Sequence, residues 1–391
     1  SPPQPSQRGG SNLRKRMSPS GGLGRQKSKN MRQGMWLTNH KDEVFQSRWP
    51  CSFVQTLLVL LLVFPATACT IVGLASLIPV FLMYSLIDLS FMGRNKMRCK
   101  IEPGADTYCV VTGASSGLGS DFCQLLAKRG FNLIISARRE ERLKALQSEL
   151  VEKFKVKVEY VVADLGRPGA AEELYEETNK ILKAASDADR CTASVAMLIN
   201  NAGIGDVSPF VIASLPKVDQ LLQLNNISIV HATQLFLKDM IDGGRGAVLN
   251  VSSIAGHGPQ PGNAMYGASK AFLRSFSISL NYELQHSPVT VTCLSPGAFR
   301  SEFAASSVSS AKNGSILYTW PIPGMCTSSM WVAKCGLDAL MSGKAEVVPG
   351  LFYGSISLLA TLLPANLVSF LSVLLWSQPN RRVELSEGLG E

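Results

Sequence analysis

The sequence lacks the cysteine and histidine spacing that holds a metal ion. Its nine cysteines are scattered without a C-x-x-C pair, and none of its four histidines stands at metal-ligand spacing from a cysteine. This pattern argues against both a zinc site and a disulfide framework. We expect reduced, mostly buried thiols, with Cys109 and Cys293 inside apolar runs that are typical of core strands.

Acidic residues are scarce in the first 50 residues. Asp42 and Glu43 stand there against ten Lys or Arg, so this tail carries +8 of the formal net charge of +9. The remainder is nearly neutral, which argues against a nucleic-acid surface on the folded part. The Ser-, Gly-, Gln- and Arg-rich composition predicts a disordered tail over residues 1–50. The tail has two alternative interpretations, an organelle transit peptide and a polybasic arm beside an anionic membrane. The sequence starts at Ser1 rather than Met, which suggests processing or an incomplete chain.

Charge is then missing altogether from Trp49 to Ile87, a stretch longer than one bilayer crossing requires. We predict a membrane anchor over residues 51–93. Basic residues lie on both sides of it, and positive residues favour the cytoplasmic side. A hairpin bent near Pro65 or Thr70 satisfies this rule, and a single tilted helix followed by an interfacial helix is the alternative.

A second stretch without charge runs from Val347 to Asn380. Pro364 divides it into pieces too short to span a bilayer. Three interpretations are open for residues 347–380: a second membrane contact, a lid over an apolar substrate pocket, or ordinary core. We favour a membrane contact that does not cross, or a lid.

Residues 104–346 show a different pattern. Apolar runs of strand length, such as "YCVVTG", "FNLIISAR" and "GAVLNVSS", alternate with amphipathic helical stretches. Strands that are apolar throughout and separated by helices indicate a parallel sheet covered on both faces. The predicted fold class is therefore α/β, with a doubly wound parallel sheet and an N-terminal membrane segment.

The first predicted strand ends in a glycine-rich turn, "TGASSGLG", that leads directly into a helix. Glycine lets the backbone approach a pyrophosphate closely, and the helix N-terminus offers free N–H groups to it. At the first strand-to-helix turn of a doubly wound sheet, this pattern predicts a dinucleotide site.

Farther along, "MYGASKAF" places a tyrosine and a lysine four residues apart. On a helix these positions share one face, so the ammonium of Lys270 can lie beside the ring of Tyr266. A nearby cation makes a phenol a better proton donor at neutral pH. In isolation such a pair more often belongs to a solvated helix face.

These motifs together resemble the short-chain dehydrogenase/reductase superfamily, over about Tyr108 to Arg300. "TGASSGLG" resembles its glycine motif, "NNAG" the motif after its fourth strand, "NVSSIAG" its serine motif, "YGASK" its Y-x-x-x-K and "LSPGAF" its Pro-Gly motif. The resemblance implies a Rossmann-like fold and a nicotinamide cofactor.

By this resemblance, Tyr266 is the general acid and Ser253, thirteen residues before it, holds the carbonyl oxygen. Lys270 lowers the tyrosine pKa and binds the nicotinamide ribose. Asn225 matches the helix asparagine that supports a proton-relay water, although Asn226 beside it leaves the register open. Ser252 competes with Ser253, but the spacing favours Ser253.

For the cofactor, an arginine at the end of the second strand can pair with a 2′-phosphate, whereas an acid would bind the 2′-hydroxyl. Arg138 takes that place, which predicts NADP(H). A solvated helix start is the alternative. The family often has threonine at the position of Ser301, and serine keeps the hydroxyl group of that threonine. The resemblance assigns cofactor contacts to Thr112, Gly113, Ser115, Ser116, Gly117, Leu118, Gly119, Arg138, Asp164, Asn201, Ala202, Gly203, Tyr266, Lys270, Pro296, Gly297 and Ser301.

The sequence thus predicts a membrane-anchored, NADPH-dependent reductase of a lipophilic carbonyl, such as a 3-oxoacyl thioester or a steroid ketone. The aromatic, Met and Pro residues of "ILYTWPIPGMCTSSMW" favour an apolar substrate wall, with ordinary core as the alternative. The resemblance implies an endoplasmic reticulum membrane with the catalytic domain facing the cytosol, or another organelle membrane, and a homodimer. The alternative function is a non-catalytic nucleotide-binding subunit of a membrane complex.

Overall fold

A computed structural model describes residues 101–206, 210–299 and 327–376. The predicted tail (1–50) and membrane anchor (51–93) lie outside these ranges, as does Ser301. Among the described helices, none combines the length and the apolar character that a bilayer crossing requires.

Strands and helices alternate along the described chain, as the apolar runs predict. The strands are β1 (Thr107–Thr112), β2 (Asn132–Ala137), β3 (Val158–Val162), β4 (Ser194–Asn200), β5 (Gly246–Val251), β6 (Val289–Leu294) and β7 (Glu346–Val347). The helices are α1 (Gly117–Lys128), α2 (Glu140–Phe154), α3 (Ala170–Asp189), α4 (Leu215–Leu222), α5 (Ser228–Asp242), α6 (Ala264–Glu283), α7 (Ser329–Met341), α8 (Leu351–Leu362) and α9 (Ala365–Trp376). Short 3₁₀ turns cover Phe210–Ile212 and Ile254–His257, and a π-helical segment covers Gln223–Ile227.

The seven strands form one sheet in the order β3-β2-β1-β4-β5-β6-β7, and every pair is parallel. In the centre, Val110 of β1 is in register with Ile134 on one side and Leu198 on the other. The predicted doubly wound parallel sheet is therefore confirmed. The order reverses between β1 and β4, and the carboxyl ends of strands at such a reversal border the crevice in which doubly wound folds bind ligands.

Both faces of the sheet are covered by helices, which explains the uninterrupted apolar strands. All six residues of β1 are buried. Cys109 and Val111 belong to one core cluster, whereas Tyr108 and Val110 belong to the cluster on the opposite face, where Phe236 of α5 also packs. Because successive residues of a strand point to opposite faces, a strand buried on both sides carries no polar alternation.

The charge-free C-terminal stretch is joined directly to this sheet. Val347 pairs with Leu294 as part of β7, so the boundary expected between residues 346 and 347 falls within a strand. Two helices of 12 residues each, α8 and α9, follow. Leu363 between them has an extended backbone, as expected for a residue before proline, and Pro364 therefore ends α8 and separates it from α9.

Candidate active site

A cavity of about 930 Å³ lies at the carboxyl ends of the central strands. Its wall includes the glycine turn after β1, the ends of β2, β4, β5 and β6, one face of α6, and residues of α8 and α9. Most of the residues that the sequence predicts as site residues meet here: Gly113, Ser115, Ser116, Gly117, Leu118, Arg138, Asp164, Asn201, Ala202, Gly203, Ser253, Tyr266, Lys270, Pro296 and Gly297. Thr112, Gly119 and Asn225 do not belong to this wall.

The glycine turn forms a cradle for a phosphate. Gly113 and Gly117 have φ values of 66° and 55°, a region that L side chains rarely adopt. A Cβ on Gly119 would overlap the carbonyl oxygen of Gly113. Ser116 precedes α1 without capping it by a side-chain hydrogen bond, so the first N–H groups of the helix remain available to an anion.

Thr112 and Asn201 brace this turn from behind. Thr112 Oγ1 accepts hydrogen bonds from the backbone N–H groups of Asn201 (3.0 Å) and Ala202 (3.1 Å). Asn201 Nδ2 donates to the carbonyl oxygens of Thr112 (3.0 Å) and Gly113 (3.2 Å). Thr112 is 2% exposed, so the structure gives it a bracing position and not a place on the wall.

The charge on the cavity wall is mainly positive at the β2 end. Arg138 and Arg139 both line it, and Asp164 is the one carboxylate among the described wall residues. The Arg139 guanidinium donates to Ser115 Oγ (2.9 Å) and to Ser116 Oγ (2.8 Å), which places it directly over the glycine turn. Sequence reasoning omitted Arg139 from the site, although the adjacent arginine pair in "ARRE" was the signal that could have identified it.

The serine, tyrosine and lysine lie on neighbouring elements. Ser253 follows β5 and its Oγ accepts from the N–H of Ala255 (3.2 Å). Ser252 is 2% exposed, and its hydroxyl donates to the carbonyl oxygen of Lys270 (2.7 Å). Both serines belong to the cavity wall. The hydroxyl of Ser252 is bound to α6, whereas the Oγ of Ser253 lies near the 3₁₀ turn, so Ser253 stays the predicted partner of a substrate.

Lys270 lies one turn after Tyr266 on α6. Its Nζ is 5.6 Å from the centroid of the Tyr266 ring and donates to the carbonyl oxygen of Val251 (2.9 Å). Lys270 is 4% exposed, and burial lowers its pKa to about 8. The ammonium therefore stays largely charged at neutral pH and acts on the phenol in a low-dielectric setting.

Asn225 and Asn226 occupy the π-helical segment, an irregularity that often marks functional sites. The Asn225 side chain accepts from the N–H of Ile204 and donates to its carbonyl oxygen, both at 2.9 Å. Asn226 Nδ2 instead donates to the carbonyl oxygen of Ser269 (2.9 Å). Asn225 is therefore the residue that holds the loop after β4, from a fully buried position behind the cavity wall.

A partly buried ion cluster ties the elements of the site together. It consists of His257, Arg274, Ser295 and Glu346. Arg274 donates two hydrogen bonds to Glu346, each 2.7 Å long, and Ser295 Oγ donates a third of 3.0 Å. His257 Nε2 lies 3.3 Å from Glu346 Oε1. Burial alone would raise the pKa of Glu346, but His257 and Arg274 outweigh it and hold the pKa at about 2.

The Pro-Gly motif after β6 contacts the C-terminal helices. A Cβ on Gly297 would overlap the ring of Tyr353 in α8, and the Tyr353 hydroxyl donates to the carbonyl oxygen of Ala298 (3.4 Å). Phe352, Ile356, Leu359, Leu363, Val368 and Leu371 of the C-terminal segment also line the cavity. One part of the cavity is thus polar and glycine-rich, and another is apolar.

A protein-family model described as short chain dehydrogenase matches residues 107–312, more than half of the chain. The chain belongs to the short-chain dehydrogenase family. The family resemblance of the sequence motifs is thereby confirmed. The glycine cradle, the start of α1 and the two arginines are consistent with a dinucleotide ligand.

The chain is also similar to individual proteins of this family. It is 31% identical over 203 residues to a very-long-chain 3-oxoacyl-CoA reductase of Anas platyrhynchos. This match covers 51% of this chain and 62% of that protein. It is 30% identical over 243 residues to the inactive hydroxysteroid dehydrogenase-like protein 1 of Homo sapiens, with coverages of 61% and 68%. The chain therefore spans less than two thirds of the length of the first of these relatives.

Among solved structures, a short-chain dehydrogenase from Sphingobium yanoikuyae in complex with NADPH is similar. The TM-score is 0.55 at 27% identity, and the match covers 66% of this chain and 96% of that one. The similarity extends over nearly the whole of that smaller dehydrogenase.

Proposed function

We propose that this dehydrogenase is an NADPH-dependent reductase of a lipophilic carbonyl compound, which it converts to an alcohol. The observation that carries the proposal is the shared cavity. Ser253, Tyr266 and Lys270 line it together with the glycine cradle, and the helices α8 and α9 add an apolar wall.

In the proposed mechanism, the chain provides acid catalysis and charge stabilisation. A bound reduced nicotinamide would supply hydride to the carbonyl carbon, which leaves negative charge on the carbonyl oxygen. The Tyr266 hydroxyl donates its proton to that oxygen, and the Ser253 hydroxyl donates a hydrogen bond to it. The Lys270 ammonium, 5.6 Å from the Tyr266 ring centroid, stabilises the phenolate that remains.

The preference for NADPH over NADH rests on Arg138 and Arg139. Both border the end of β2, where a doubly wound fold receives the adenosine ribose, and a guanidinium pairs well with a phosphate. Asp164 follows β3 instead of β2, so it does not oppose a 2′-phosphate from the position in which NAD-binding folds place an acid. The NADPH complex of the similar bacterial dehydrogenase agrees with this choice.

The double variant Arg138→Ala/Arg139→Ala is expected to raise the Kd of NADPH by about 10- to 100-fold and to change that of NADH by less than about threefold. The reason is that hydrogen bonds to charged groups contribute about 1.5–3 kcal/mol, and only NADPH carries the 2′-phosphate. Fluorescence titration of both dinucleotides against the purified full chain measures the ratio. Arg142→Ala, which removes an exposed charge from the helix that follows the two arginines, is the control. An equal loss for the two dinucleotides would show that the arginines do not read the 2′-phosphate.

The proposed substrate is a lipophilic ketone, with 3-oxoacyl thioesters and steroid ketones as the candidate classes. The apolar side chains of α8 and α9 on the cavity wall match such a substrate. The similarity to a very-long-chain 3-oxoacyl-CoA reductase favours the first class.

A lipophilic substrate and the charge-free stretch at residues 49–87 support a membrane setting. We propose the endoplasmic reticulum membrane by family resemblance, and we place the domain on the cytosolic side because both flanks of that stretch are basic. A mitochondrial or plastid membrane is the alternative. The family resemblance also leads us to propose a homodimer. We do not propose a nucleic-acid partner, because the excess of basic residues lies in residues 1–50.

The competing proposal is a non-catalytic nucleotide-binding subunit. The similarity to a human relative named inactive favours it. Against it, Ser253, Tyr266 and Lys270 are all retained and all line one cavity with the glycine cradle.

The test of the proposed function is NADPH consumption by the detergent-purified full chain. A panel of 3-oxoacyl-CoAs of increasing length, steroid ketones and a short water-soluble ketone should show turnover that rises with the apolar length of the ketone. NADPH binding without turnover of any ketone would favour the non-catalytic subunit.

A further inference from the structure

In the two C-terminal helices, two serines are buried while several apolar side chains are exposed. Ser357 of α8 and Ser372 of α9 are 3% and 8% exposed and lie against the domain. Their hydroxyls donate to backbone carbonyl oxygens, Ser357 to that of Tyr353 and Ser372 to that of Pro259. A helix on a water-exposed surface normally buries its apolar side chains and exposes its polar ones. These helices do the reverse at these positions.

Apolar side chains occupy two separate faces of α8 and α9. One face lines the cavity. The other, which we call the outer apolar face, does not, and it consists of Leu351 (83% exposed), Leu362 (57%), Leu367 (42%), Phe370 (51%) and Val373 (46%). Leu351 and Leu362 are eleven residues apart, a spacing that brings them to the same side of a helix. The outer apolar face is therefore a helical surface and not a few scattered residues.

The outer apolar face also lacks charge. No Asp, Glu, Lys or Arg occurs from Val347 to Asn380. Other surface helices of the domain differ: α2, for example, carries the exposed ion pair between Glu140 and Lys144 (3.0 Å). Interfaces between soluble proteins have polar rims, whereas surfaces that enter lipid avoid ionised groups.

We propose that the outer apolar face of α8 and α9 docks on a lipid bilayer and inserts among the acyl chains. Each helix has 12 residues and is thus about 18 Å long, too short to cross a bilayer, so both lie in the plane of the interface. The membrane anchor predicted at residues 51–93 would hold the domain at such a surface.

The docking sets the route of the substrate, and this part of the inference rests on the proposed function. The cavity face and the outer apolar face belong to the same two helices, so a ketone dissolved in the acyl layer is one helix thickness from the cavity. Entry from the bilayer removes the need to transfer a long acyl chain through water, which costs about 0.8 kcal/mol for each CH₂ group. The surface therefore determines which ketones reach Tyr266.

Photolabelling from within the bilayer tests the docking. The full chain is placed in phosphatidylcholine vesicles that contain a lipid with a diazirine on its acyl chain, and the labelled peptides are identified by mass spectrometry. We expect adducts on α8 and α9 at least about fivefold above those on α2 and α5. The double variant Leu362→Glu/Phe370→Glu should lower the labelling of α8 and α9 about tenfold. Val151→Glu/Ile241→Glu, which changes similarly exposed apolar residues on α2 and α5, should leave it unchanged.

Three results would overturn the docking. They are labelling of residues 51–93 without labelling of α8 and α9 and, when a photoreactive side chain is placed on the outer apolar face, cross-links to a second copy of the chain or to residues 51–93. NADPH binding verifies that each variant is folded. If a variant does not fold, the labelling pattern of the wild type still tests the docking.

Kinetics separates the docking from the proposed function. In the Leu362→Glu/Phe370→Glu variant, the KM for a long-chain ketone presented in vesicles should rise about tenfold, while the KM for a short water-soluble ketone should stay within about twofold. Equal increases would contradict entry from the bilayer. Absence of turnover with every ketone would reject the proposed function, and the labelling result would still decide the docking.

Discussion

Tyr266→Phe is expected to lower the turnover of NADPH with a ketone substrate by about 100- to 10,000-fold, the usual contribution of a general acid. The phenylalanine ring preserves the packing on α6 and the contact with Lys270, but it has no proton for the carbonyl oxygen. The Kd of NADPH should change by less than about threefold, because the glycine cradle and the arginines are untouched. Single-turnover measurement of NADPH oxidation separates the chemical step from product release.

Tyr282→Phe is the matched control for this variant. It removes the same hydroxyl from the same helix at a residue that is 48% exposed and does not line the cavity. Its turnover should equal that of the wild type. If Tyr266→Phe retained more than about a third of the wild-type rate, another proton donor would have to be found on the cavity wall.

Glu346→Gln is expected to reduce the free energy of unfolding by about 3 kcal/mol at pH 7, because it removes the carboxylate that accepts two hydrogen bonds from the partly buried Arg274. The Tm should fall by on the order of 10 °C. Differential scanning fluorimetry of the detergent-purified full chain measures it. The surface variant Glu173→Gln, which breaks the exposed ion pair with Arg167, should cost less than about 1 kcal/mol and serves as the control.

The Glu346 contribution has a defined pH dependence. Its pKa is lowered from 4.5 to about 2 in the folded protein, so the carboxylate stabilises the fold above pH 4.5, and this stabilisation is lost as the pH falls towards 2. The Tm difference between the wild type and Glu346→Gln should therefore be similar at pH 7 and pH 5 and smaller below about pH 4.5. A difference that stays constant at the lowest pH would mean that Glu346 acts by packing and not by charge.

The sheet could be predicted from the sequence because its strands are buried on both faces. The run around Val110 is apolar throughout, and the glycine turn that follows it marks the start of α1. β7 was not predicted, since two residues give no periodic signal. Its pairing with β6 depends on contacts between residues about 50 positions apart, which no local pattern contains.

The site was predictable where a short motif carries the chemistry, and less so where distant segments meet. The family resemblance of the motifs, with the thirteen-residue spacing that favours Ser253 over Ser252, selected Ser253, Tyr266 and Lys270, and all three line the cavity. It did not reveal that Tyr353 packs on Gly297, because α8 reaches the Pro-Gly motif only in the folded chain. Nor did it reveal the ion cluster around Glu346, whose members come from three separate elements and the loop after β6. The motif also could not show that Thr112 braces the glycine turn from behind the wall.

The central claim is that the chain itself transfers hydride from NADPH to a lipophilic carbonyl. Its most direct test uses NADPH with deuterium at the transferable C4 position, a 3-oxoacyl-CoA that is turned over, and mass spectrometry of the alcohol. We predict one deuterium on the carbinol carbon with the wild type and almost no labelled product with Tyr266→Phe. A chain that binds NADPH but forms no deuterated alcohol from any ketone of the panel would contradict the account.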